Sequence, residues 1–446
     1  MGLLTFSRGG VHPPENKISA GKKIEFAGLP EQVIIPVSQH LGAPSKVLVN
    51  RGDEVKTGQL IAQAEGFIST NIHSSVTGKV LKVDKFPDTS GYKKMAVQIQ
   101  VEAEDSWEEG IDTSDDLLES IEGTSGEIRN KILAAGIVGL GGATFPSHVK
   151  LMTPKGKKAE YLLINGVECE PYLTADHALM LEKHQQLVVG IKILMRGLGV
   201  EKAIIGIENN KPDAIEVMTR AVAEEEGISV QGLKVKYPQG GEKQLVQALL
   251  KREVPSGGLP IDVGVVVFNV GTAFASYLAV QKNRPLIERV VTVTGKSVSN
   301  PSNFLTRIGT PASFIIEKAG GLPEDTAKVI NGGPMMGKAV ANLDIPIVKG
   351  SSGILLLREN EALRNPVLPC IRCTKCVGVC PMGLEPYLLQ AQAEHGMWDA
   401  LEADKVMDCI ECGSCSFTCP AARPLLDYIR LGKSEVGKIM KSRKAV

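Results

Sequence analysis

Residues 370–381 read CIRCTKCVGVCP, and residues 409–420 repeat the pattern as CIECGSCSFTCP. Both runs have the spacing C-x2-C-x2-C-x3-C-P, which is typical of bacterial proteins that bind two [4Fe–4S] clusters. In that pattern the first three cysteines of a run bind one cluster, and the fourth binds the other. The spacing therefore predicts cluster 1 on Cys370, Cys373, Cys376 and Cys419, and cluster 2 on Cys380, Cys409, Cys412 and Cys415.

Zinc ribbons and disulfides are the alternative explanations for a cysteine-rich tail. Zinc sites use two CxxC pairs, and runs that exchange their last ligand have no use in a tetrahedral site. Disulfides belong to secreted proteins, and the first residues, MGLLTFSRGGVHPPENK, contain no apolar signal core. The ninth cysteine, Cys169, stands alone in the first 369 residues, and we expect it to be a small buried residue.

Composition excludes several classes of function. Fifty basic and fifty acidic residues balance each other, and only 4% of the 446 residues are aromatic, so neither charge nor base stacking favours nucleic acid binding. The most apolar window, residues 263–280, contains Asn269 and Thr272 and is too short to span a bilayer comfortably. We therefore expect an enzyme without a transmembrane segment or signal peptide.

The chain divides by pattern into several parts, so the predicted fold class is multidomain α/β. Short β-branched runs occupy the first part, and strand and helix signals alternate in the middle, which favours a mainly parallel sheet. That middle part includes one long apolar-periodic stretch, HALMLEKHQQLVVGIKILMRGLG. The predicted boundaries are an arm and barrel (1–101), an acidic linker (102–127), an α/β domain (128–285), a small β-grasp domain (286–357), a helical two-cluster domain (360–432) and a basic, frayed tail (433–446).

The first part resembles the biotinyl- and lipoyl-type barrel-sandwich domain. The resemblance rests on VLVNRGDEVKTGQLIAQAEGF, residues 47–67, and IHSSVTGKVLKV, residues 72–83. Carrier domains of that type present a lysine on the hairpin between their halves. Here the hairpin is AEGFISTNIHSS, residues 64–75, without a lysine. The resemblance therefore implies a scaffold rather than a swinging cofactor arm.

A glycine-rich stretch, GIVGLGGATFPSHVK at 136–150, opens the α/β domain. Glycines let backbone N–H groups approach an anion closely, and a following helix N-terminus adds favourable potential. Alone this signal is weak, because glycine-rich turns also serve as connectors. Three further segments accompany it in order: INGVECEPYLTADH at 164–177, YPQGGEKQLV at 237–246 and FNVGTAF at 268–274.

Together these four segments resemble the 51-kDa FMN- and NADH-binding subunit of respiratory complex I. With the barrel in front, the β-grasp (SLBB-like) domain and the cluster domain behind, the whole chain is similar to the RnfC (or RsxC) family of the Rnf ion-translocating oxidoreductase complex. The resemblance implies a flavin and dinucleotide cleft. Its residues would be Gly139, Gly141, Gly142, Ala143, Phe145, Lys150, Asn165, Glu168, Glu170, Tyr237, Gly240, Gly241, Glu242, Asn269 and Thr272.

The resemblance also implies how these residues divide their work. Phe145 would stack on a ring, and Lys150 would lie near the FMN phosphate or ribityl chain. The segment Asn165–Glu170 would contact the flavin edge and the nicotinamide. The segment Tyr237–Glu242 would close the phosphate side, and the FNVGT element would hold the FMN phosphate.

The sequence departs from the complex I pattern at four positions. Leu140 stands where that family has arginine, Val167 where it has aspartate and Gly241 where it has glutamate, and Thr153 replaces a second aromatic that would help to sandwich the adenine. These departures bear on NADH affinity more than on the flavin pocket. Cys169 takes a serine position beside the expected flavin.

The resemblance implies an NADH-linked flavin and iron–sulfur oxidoreductase subunit. Its cofactors would be FMN and two [4Fe–4S] clusters, with NAD(H) as substrate, and no acid–base residue is required because the cofactors perform the chemistry. Its partners would be the other subunits of an Na+- or H+-translocating Rnf complex and ferredoxin or another iron–sulfur subunit. It would be peripheral, on the cytoplasmic face of the bacterial inner membrane.

Two other functions fit the same residues. One is an iron–sulfur relay adaptor in which Leu140, Val167 and Gly241 mark a degenerate flavin site. The other is the dehydrogenase subunit of a soluble flavin-containing complex, against which the amino-terminal barrel argues. A structural zinc protein is a more distant interpretation that metal analysis would test.

Overall fold

The structure of the protein is a computed structural model that describes residues 2–88 and 91–444. The chain begins as an extended arm that leads to β1 (Ile24–Phe26). This short strand does not join the barrel, because it pairs in parallel with a strand of the third domain. The barrel-sandwich domain that follows has two sheets, with strand orders β2-β8-β7-β4 and β3-β5-β6. Its strands are β2 (Gln32–Pro36), β3 (Lys46–Val47), β4 (Glu54–Val55), β5 (Leu60–Gln63), β6 (Ile72–His73), β7 (Gly78–Pro87) and β8 (Lys93–Val101).

Alternation of side chains decides which face of the barrel strands is buried. In β2, Val33 and Ile35 are fully buried, and so are Val97 and Ile99 on the antiparallel partner β8. Successive side chains of a strand point to opposite faces, so these four residues fill the space between the two sheets.

The acidic segment after the barrel is extended and packed rather than detached. Lys282 Nζ donates to Asp112 Oδ2 at 2.6 Å, and the Leu118 N–H donates to the Tyr277 hydroxyl at 3.1 Å. The first helix of the next domain begins inside the predicted linker, at Ser125, where Thr124 and Glu127 form a reciprocal N-terminal cap.

A parallel four-stranded sheet of order β11-β10-β9-β12 forms the second domain. The long apolar-periodic stretch of the sequence divides into two helices at Lys183. Helix α4 packs on α7 so closely that a Cβ on Gly190 would lie 2.0 Å from the Ala273 oxygen. The elements are α1 (Ser125–Ala134), α2 (Ser147–Lys150), β9 (Tyr161–Asn165), α3 (Ala175–Glu182), α4 (His184–Leu198), β10 (Ala203–Glu208), α5 (Pro212–Ala221), β11 (Ile228–Leu233), α6 (Glu242–Leu250), a 3-10 turn (Pro260–Val263), β12 (Val265–Asn269) and α7 (Val270–Gln281).

The third domain is a mixed sheet with one helix packed on it. Its strand order is β1-β14-β13-β17-β15-β16, and its core is a cluster of its own that includes Val291, Phe304 and Ile354. The elements are β13 (Glu288–Thr294), β14 (Ser302–Arg307), α8 (Ala312–Lys318), β15 (Thr326–Asn331), β16 (Lys338–Ala339) and β17 (Gly353–Arg358).

Short helices and loops form the carboxyl-terminal domain. The predicted frayed tail is instead helical through residue 444, because Val436 is buried and Arg443 pairs with Glu402 and Asp399; residues 445–446 lie outside the described part. The elements are α9 (Glu359–Ala362), α10 (Lys375–Gly378), α11 (Pro386–Glu394), α12 (Trp398–Ala403), a 3-10 turn (Val406–Asp408), α13 (Ser414–Phe417) and α14 (Leu425–Lys444).

Candidate electron-transfer site

The carboxyl ends of the parallel strands bring two predicted site residues together. Asn165 ends β9 and Asn269 ends β12, and the two residues are register partners in the sheet. The Asn269 amide donates to Asp176 Oδ2 at 2.6 Å, and its oxygen accepts from the Gly271 N–H at the start of α7. Ligands of open α/β sheets bind at this edge, so the candidate site lies where the fold favours one.

The glycine-rich loop lies over this edge. Its base is held by the Gly139 N–H, which donates to the Phe145 oxygen, and by the Leu140 N–H, which donates to the buried Thr272 hydroxyl at 2.9 Å. A Cβ on Gly141 would touch the Asn269 side chain at 3.4 Å, and one on Gly142 would meet no atom within 4 Å. The turn is therefore open on one side and backed by β12 on the other.

Exposure of the loop fits an anionic group such as the phosphate of FMN. Gly141, Gly142 and Ala143 are all exposed, and small residues leave the backbone amides accessible. Lys150 lies below the loop, where its amine contacts Glu242 Oε1 at 2.7 Å and the Val267 oxygen at 2.8 Å. These residues fit FMN, which the structure does not contain.

The two glutamates of the Asn165–Glu170 segment both accept hydrogen bonds from the protein backbone. Glu168 accepts from the N–H groups of Asp176 and His177 and so caps helix α3. Glu170 accepts from the N–H groups of Met335 and Met336, in a loop of the third domain. Both carboxylates therefore have protein partners, and a direct contact of either with flavin or nicotinamide stays a prediction.

Burial governs the chemistry of Glu170. Its carboxyl is enclosed by the third-domain loop and the Tyr237 hydroxyl, and a Cβ on Gly333 would lie 2.2 Å from its oxygen. Burial raises the pKa of Glu170 to about 7, although the two backbone donors oppose the shift. Glu170 is thus a half-buried acid that titrates near neutral pH.

Tyr237 faces the cluster domain rather than an open phosphate site. It is 2% exposed, and its hydroxyl donates to the carbonyl oxygen of Cys412 at 2.8 Å. Its neighbour Gly240 donates its N–H to Cys169 Sγ, and its carbonyl accepts from the Asn165 amide at 2.8 Å. A short chain of contacts thus joins the sheet edge to a predicted cluster ligand.

Gly241 precedes α6 with an extended backbone conformation that other residues also adopt. A Cβ on this residue would lie 2.5 Å from Gln244 Oε1 and 3.1 Å from the Pro238 oxygen. The glutamate that the complex I pattern has at this position would therefore require the end of the Gln244 side chain to move. Cys169, expected to be a small buried residue, is half-buried, and burial raises the pKa of its thiol well above the usual value, which leaves it mainly as the less reactive thiol.

Three charged residues of the site were not predicted from the sequence. Lys17, in the amino-terminal arm, donates to the carbonyl oxygens of Glu168, Glu170 and Leu173. Asp176 accepts from Asn269, and burial together with the Glu168 charge raises its pKa. Arg289 reaches in from β13 and donates to the Leu140 oxygen at 3.0 Å. The charge of Arg289 inside the otherwise apolar run ERVVTVT could have marked it as a site residue. No feature of the sequence marks Lys17.

The four predicted ligands of cluster 2 line one cavity. Cys380 comes from the first run, whereas Cys409, Cys412 and Cys415 come from the second. The other walls are mainly apolar, among them Leu384, Leu389, Leu426 and Ile429. Because sulfur from both runs faces the same space, the cavity fits a cluster whose fourth ligand is exchanged between runs.

The predicted ligands of cluster 1 lie nearer the surface. Cys370 and Cys373 are exposed, and Cys376 and Cys419 are half-buried. Burial raises the pKa of Cys376, the Tyr387 N–H opposes that shift and the Cys419 thiol adds to it. Apolar side chains beside this set are also exposed, with Val367, Leu368 and Ile371 each more than half accessible.

The cluster 2 cavity bears on the zinc alternative. Cys380 of the first run lies in it together with three cysteines of the second run. A zinc ribbon uses whole CxxC pairs, whereas exchange of the fourth ligand between two runs is typical of a pair of [4Fe–4S] clusters.

Four family models match the chain in order. They are the RnfC barrel-sandwich hybrid domain (residues 5–104), the Nuo51 FMN-binding domain (132–277), the SLBB domain (290–339) and the 4Fe-4S dicluster domain (363–420). The fold class is therefore confirmed.

Curated relatives match almost the whole chain. The C-subunit of the proton-translocating ferredoxin:NAD+ oxidoreductase complex of Clostridium ljungdahlii is 50% identical over 97% of this chain and 94% of its own length. The C-subunit of the Na+-translocating ferredoxin:NAD+ oxidoreductase complex of Acetobacterium woodii is 46% identical over 96% of each. Its counterpart in an ion-translocating oxidoreductase complex of Rhodobacter capsulatus is 43% identical over 88% of this chain and 76% of its own length.

Solved structures share the fold. A chain of the NAD+-reducing [NiFe]-hydrogenase is similar in its H2-reduced state (TM-score 0.50, 18% identity, 70% of this chain and 62% of that one). The air-oxidized state gives a TM-score of 0.51 at 16% identity, with 70% of this chain and 66% of that one covered.

In the described part of the chain, every helix is too short or too polar to cross a membrane.

Proposed function

This chain belongs to the RnfC family of ion-translocating oxidoreductase complexes, and we propose that it passes electrons between NAD(H), FMN and two [4Fe–4S] clusters within such a complex. It is an oxidoreductase subunit whose redox partners are NAD(H) and, through the complex, ferredoxin. Its partners are the other subunits of that complex. We further propose that it is peripheral and lies on the cytoplasmic face of the membrane.

The contact between the cluster 2 loop and the α/β domain carries the proposal. The Tyr237 hydroxyl donates to the Cys412 oxygen, and Tyr237, Cys412 and Val11 pack in one small apolar cluster with Cys169 at its edge. A Cβ on Gly413 would lie 2.7 Å from the Met335 oxygen, so the same loop also touches the third domain. The ligand set of cluster 2 therefore lies beside the candidate flavin site.

The chain's own residues would hold the cofactors as follows. Gly141, Gly142 and Ala143 would present backbone amides to the FMN phosphate, with Asn269 behind them, and Phe145 would stack on a ring. FMN, when bound, exchanges the two electrons of a nicotinamide hydride for the single electrons that an iron–sulfur cluster carries. Buried apolar walls around Cys380 and Cys412 would keep water from cluster 2.

Two sets of ligands at different depths favour an order for the clusters. The cluster 2 ligands lie against the α/β domain, whereas Cys370 and Cys373 of cluster 1 are exposed. We infer that cluster 2 faces the flavin and that cluster 1 faces the external redox partner.

The test is anaerobic addition of NADH to the chain loaded with FMN and both clusters, followed by absorbance and EPR. We expect flavin bleaching first, then two reduced-cluster signals, with about eight irons per chain. Cys380→Ser should remove cluster 2 and leave about four irons per chain. Electrons from NADH should then remain on the flavin. Cys373→Ser should remove cluster 1 while cluster 2 is still reduced. Cys169→Ser is the control and should keep both clusters.

A relay adaptor without flavin is the second candidate. The observation that favours it is the engagement of Glu168 and Glu170 by protein N–H groups. Protein that binds both clusters but neither FMN nor NADH would select this candidate.

Loss of cluster 1 rather than cluster 2 in Cys380→Ser would contradict the proposed ligand exchange.

A further inference from the structure

The hairpin that carrier domains use for their lysine is docked here beside the glycine-rich loop. The Asn71 amide donates to the Ala134 oxygen at 3.2 Å, at the end of helix α1. Lys349 is fully buried, and its amine donates both to the Asn71 oxygen at 2.9 Å and to the Gly136 oxygen at 2.6 Å. The hairpin is therefore tied to the residues that lead into the candidate cleft.

A second barrel loop joins the hairpin to the cleft. The Leu41 N–H donates to the Thr144 oxygen at 3.2 Å, inside the glycine-rich loop. Gly42 has a φ of +106°, and a Cβ there would lie 1.9 Å from the Ile68 oxygen, so only glycine fits. The Ala43 N–H donates to that same Ile68 oxygen at 3.0 Å. The two loops consequently form one rigid unit.

Two large apolar side chains of these loops are exposed to solvent. Phe67 is 63% exposed and Leu41 is 53% exposed, and Phe67 is the most exposed phenylalanine of the described residues. Burial lowers the pKa of His148 on α2, and a hydrogen bond with the Phe67 backbone opposes that shift. Phe67 is thus fixed beside the helix that follows Phe145, with its ring largely uncovered.

The α/β domain has a threonine at a position that bears on this exposed ring. Thr153, three residues after α2, stands where the complex I pattern has the second aromatic of the adenine sandwich. A cleft with one aromatic wall stacks a base on one face only, and base–aromatic stacking contributes about 1–3 kcal/mol per base. An aromatic supplied by the barrel would restore the second wall.

We propose that Phe67, supported by Leu41, is the second wall of the dinucleotide cleft and stacks on the adenine of NAD(H). This inference rests on the proposed function, because it needs a dinucleotide in the cleft. It gives the lysine-free hairpin a role of its own: a fixed binding surface in place of a mobile arm. The base, rather than the nicotinamide, is the expected contact, since the hairpin contacts α2 through the Phe67 backbone and His148.

The experiment compares ligands with and without adenine. The chain loaded with FMN and clusters is titrated with ADP-ribose, and its reduction is followed with NADH and with reduced nicotinamide mononucleotide. Phe67→Ala should weaken ADP-ribose binding about tenfold and raise the KM for NADH alike, while the KM for the mononucleotide stays the same. Phe67→Trp should bind ADP-ribose at least as well as the native chain.

Controls separate this inference from the function on which it rests. Phe26, on β1, is 55% exposed and pairs with Leu305 on β14 of the third domain, so Phe26→Ala should bind ADP-ribose normally. Leu41→Ala should give a smaller loss than Phe67→Ala. Native affinity for ADP-ribose in Phe67→Ala overturns the hairpin inference alone. A native chain that NADH does not reduce overturns the proposed function as well.

Discussion

Single residues in this protein take their chemistry from distant neighbours. Glu170 lies in a segment predicted to contact flavin, yet its oxygens accept from the Met335 and Met336 amides, and the Tyr237 hydroxyl oxygen lies 3.3 Å from one of them. A carboxylate that accepts several hydrogen bonds would ordinarily have a low pKa, but burial outweighs them here. The residue therefore holds the third domain and responds to pH.

The pH dependence of Glu170 has a definite sign. Its folded pKa of about 7 lies above the ordinary 4.5, so between these values the folded chain binds more protons and stability falls as pH rises. We expect a loss on the order of 3 kcal/mol, complete above about pH 7. The melting temperature of the native chain, relative to Glu170→Gln, should therefore fall from pH 5 to pH 8.

Glu226→Gln is the matched control for that measurement, since Glu226 is exposed. Its melting temperature should follow that of the native chain at every pH. A constant difference between the native chain and Glu170→Gln across this range would show that Glu170 is ionised in the fold at acidic pH, against the expected shift.

At the scale of elements, the amino-terminal arm joins the α/β domain to the cluster domain. Leu4 bridges to Leu233, Val11 bridges to Tyr237, and the Gly10 N–H donates to the Val379 oxygen at 2.9 Å. The arm thus runs between the α/β domain and the loop that contains Cys380. Neither strand pattern nor periodicity marks it in the sequence, because its hydrogen bonds go to other domains.

Two glycines of the arm allow a matched test. Gly9 and Gly21 both have positive φ, but a Cβ on Gly9 would lie 2.6 Å from the Val379 oxygen, whereas one on Gly21 would meet no atom within 4 Å. Gly21→Ala should cost about 1 kcal/mol in unfolding free energy. Gly9→Ala should cost more and should separate the arm from the cluster domain.

Hydrogen exchange of the Gly10 and Val11 amides measures that separation. Their protection should fall in Gly9→Ala and persist in Gly21→Ala, because only the first change pushes the arm away from Val379. Equal protection in the two variants would mean that the arm does not depend on this close approach.

For the whole molecule, the separate hydrophobic cores indicate which domain depends on bound metal for its stability. The cluster domain has its own small core, including Leu389, Leu401 and Ile429, apart from the large core shared by the barrel and the α/β domain. Thiolates brought together around a cavity repel one another unless metal neutralises them, so metal binding contributes to the stability of the domain that holds it.

Removal of iron should therefore destabilise the carboxyl-terminal cluster domain and leave the other domains folded. After anaerobic treatment with a chelator, we expect faster hydrogen exchange in residues 363–424 and unchanged protection in β9–β12 and β13–β17. Native chain kept with its clusters is the control. A loss of protection throughout the parallel sheet would indicate that the clusters support the entire fold.

The comparison of sequence and structure follows the range of each interaction. Cysteine spacing predicted both ligand sets, because three ligands of each lie in one local loop and the fourth follows the repeated pattern. The ordered segments likewise predicted the domain succession. The apolar periodicity of the long stretch gives no sign of Lys183, where the structure divides it into two helices, because periodicity alone does not reveal a break in backbone angles.

By itself, the sequence determined the cofactor-binding residue types, the order of the domains and the alternating strands and helices, because each depends on neighbours a few residues away. Only the tertiary structure decided that Tyr237 touches Cys412, that Arg289 and Lys17 reach the candidate site, and that the pKa of Glu170 is raised. Those properties arise from groups more than a hundred residues apart, and burial and charge act through space rather than along the chain.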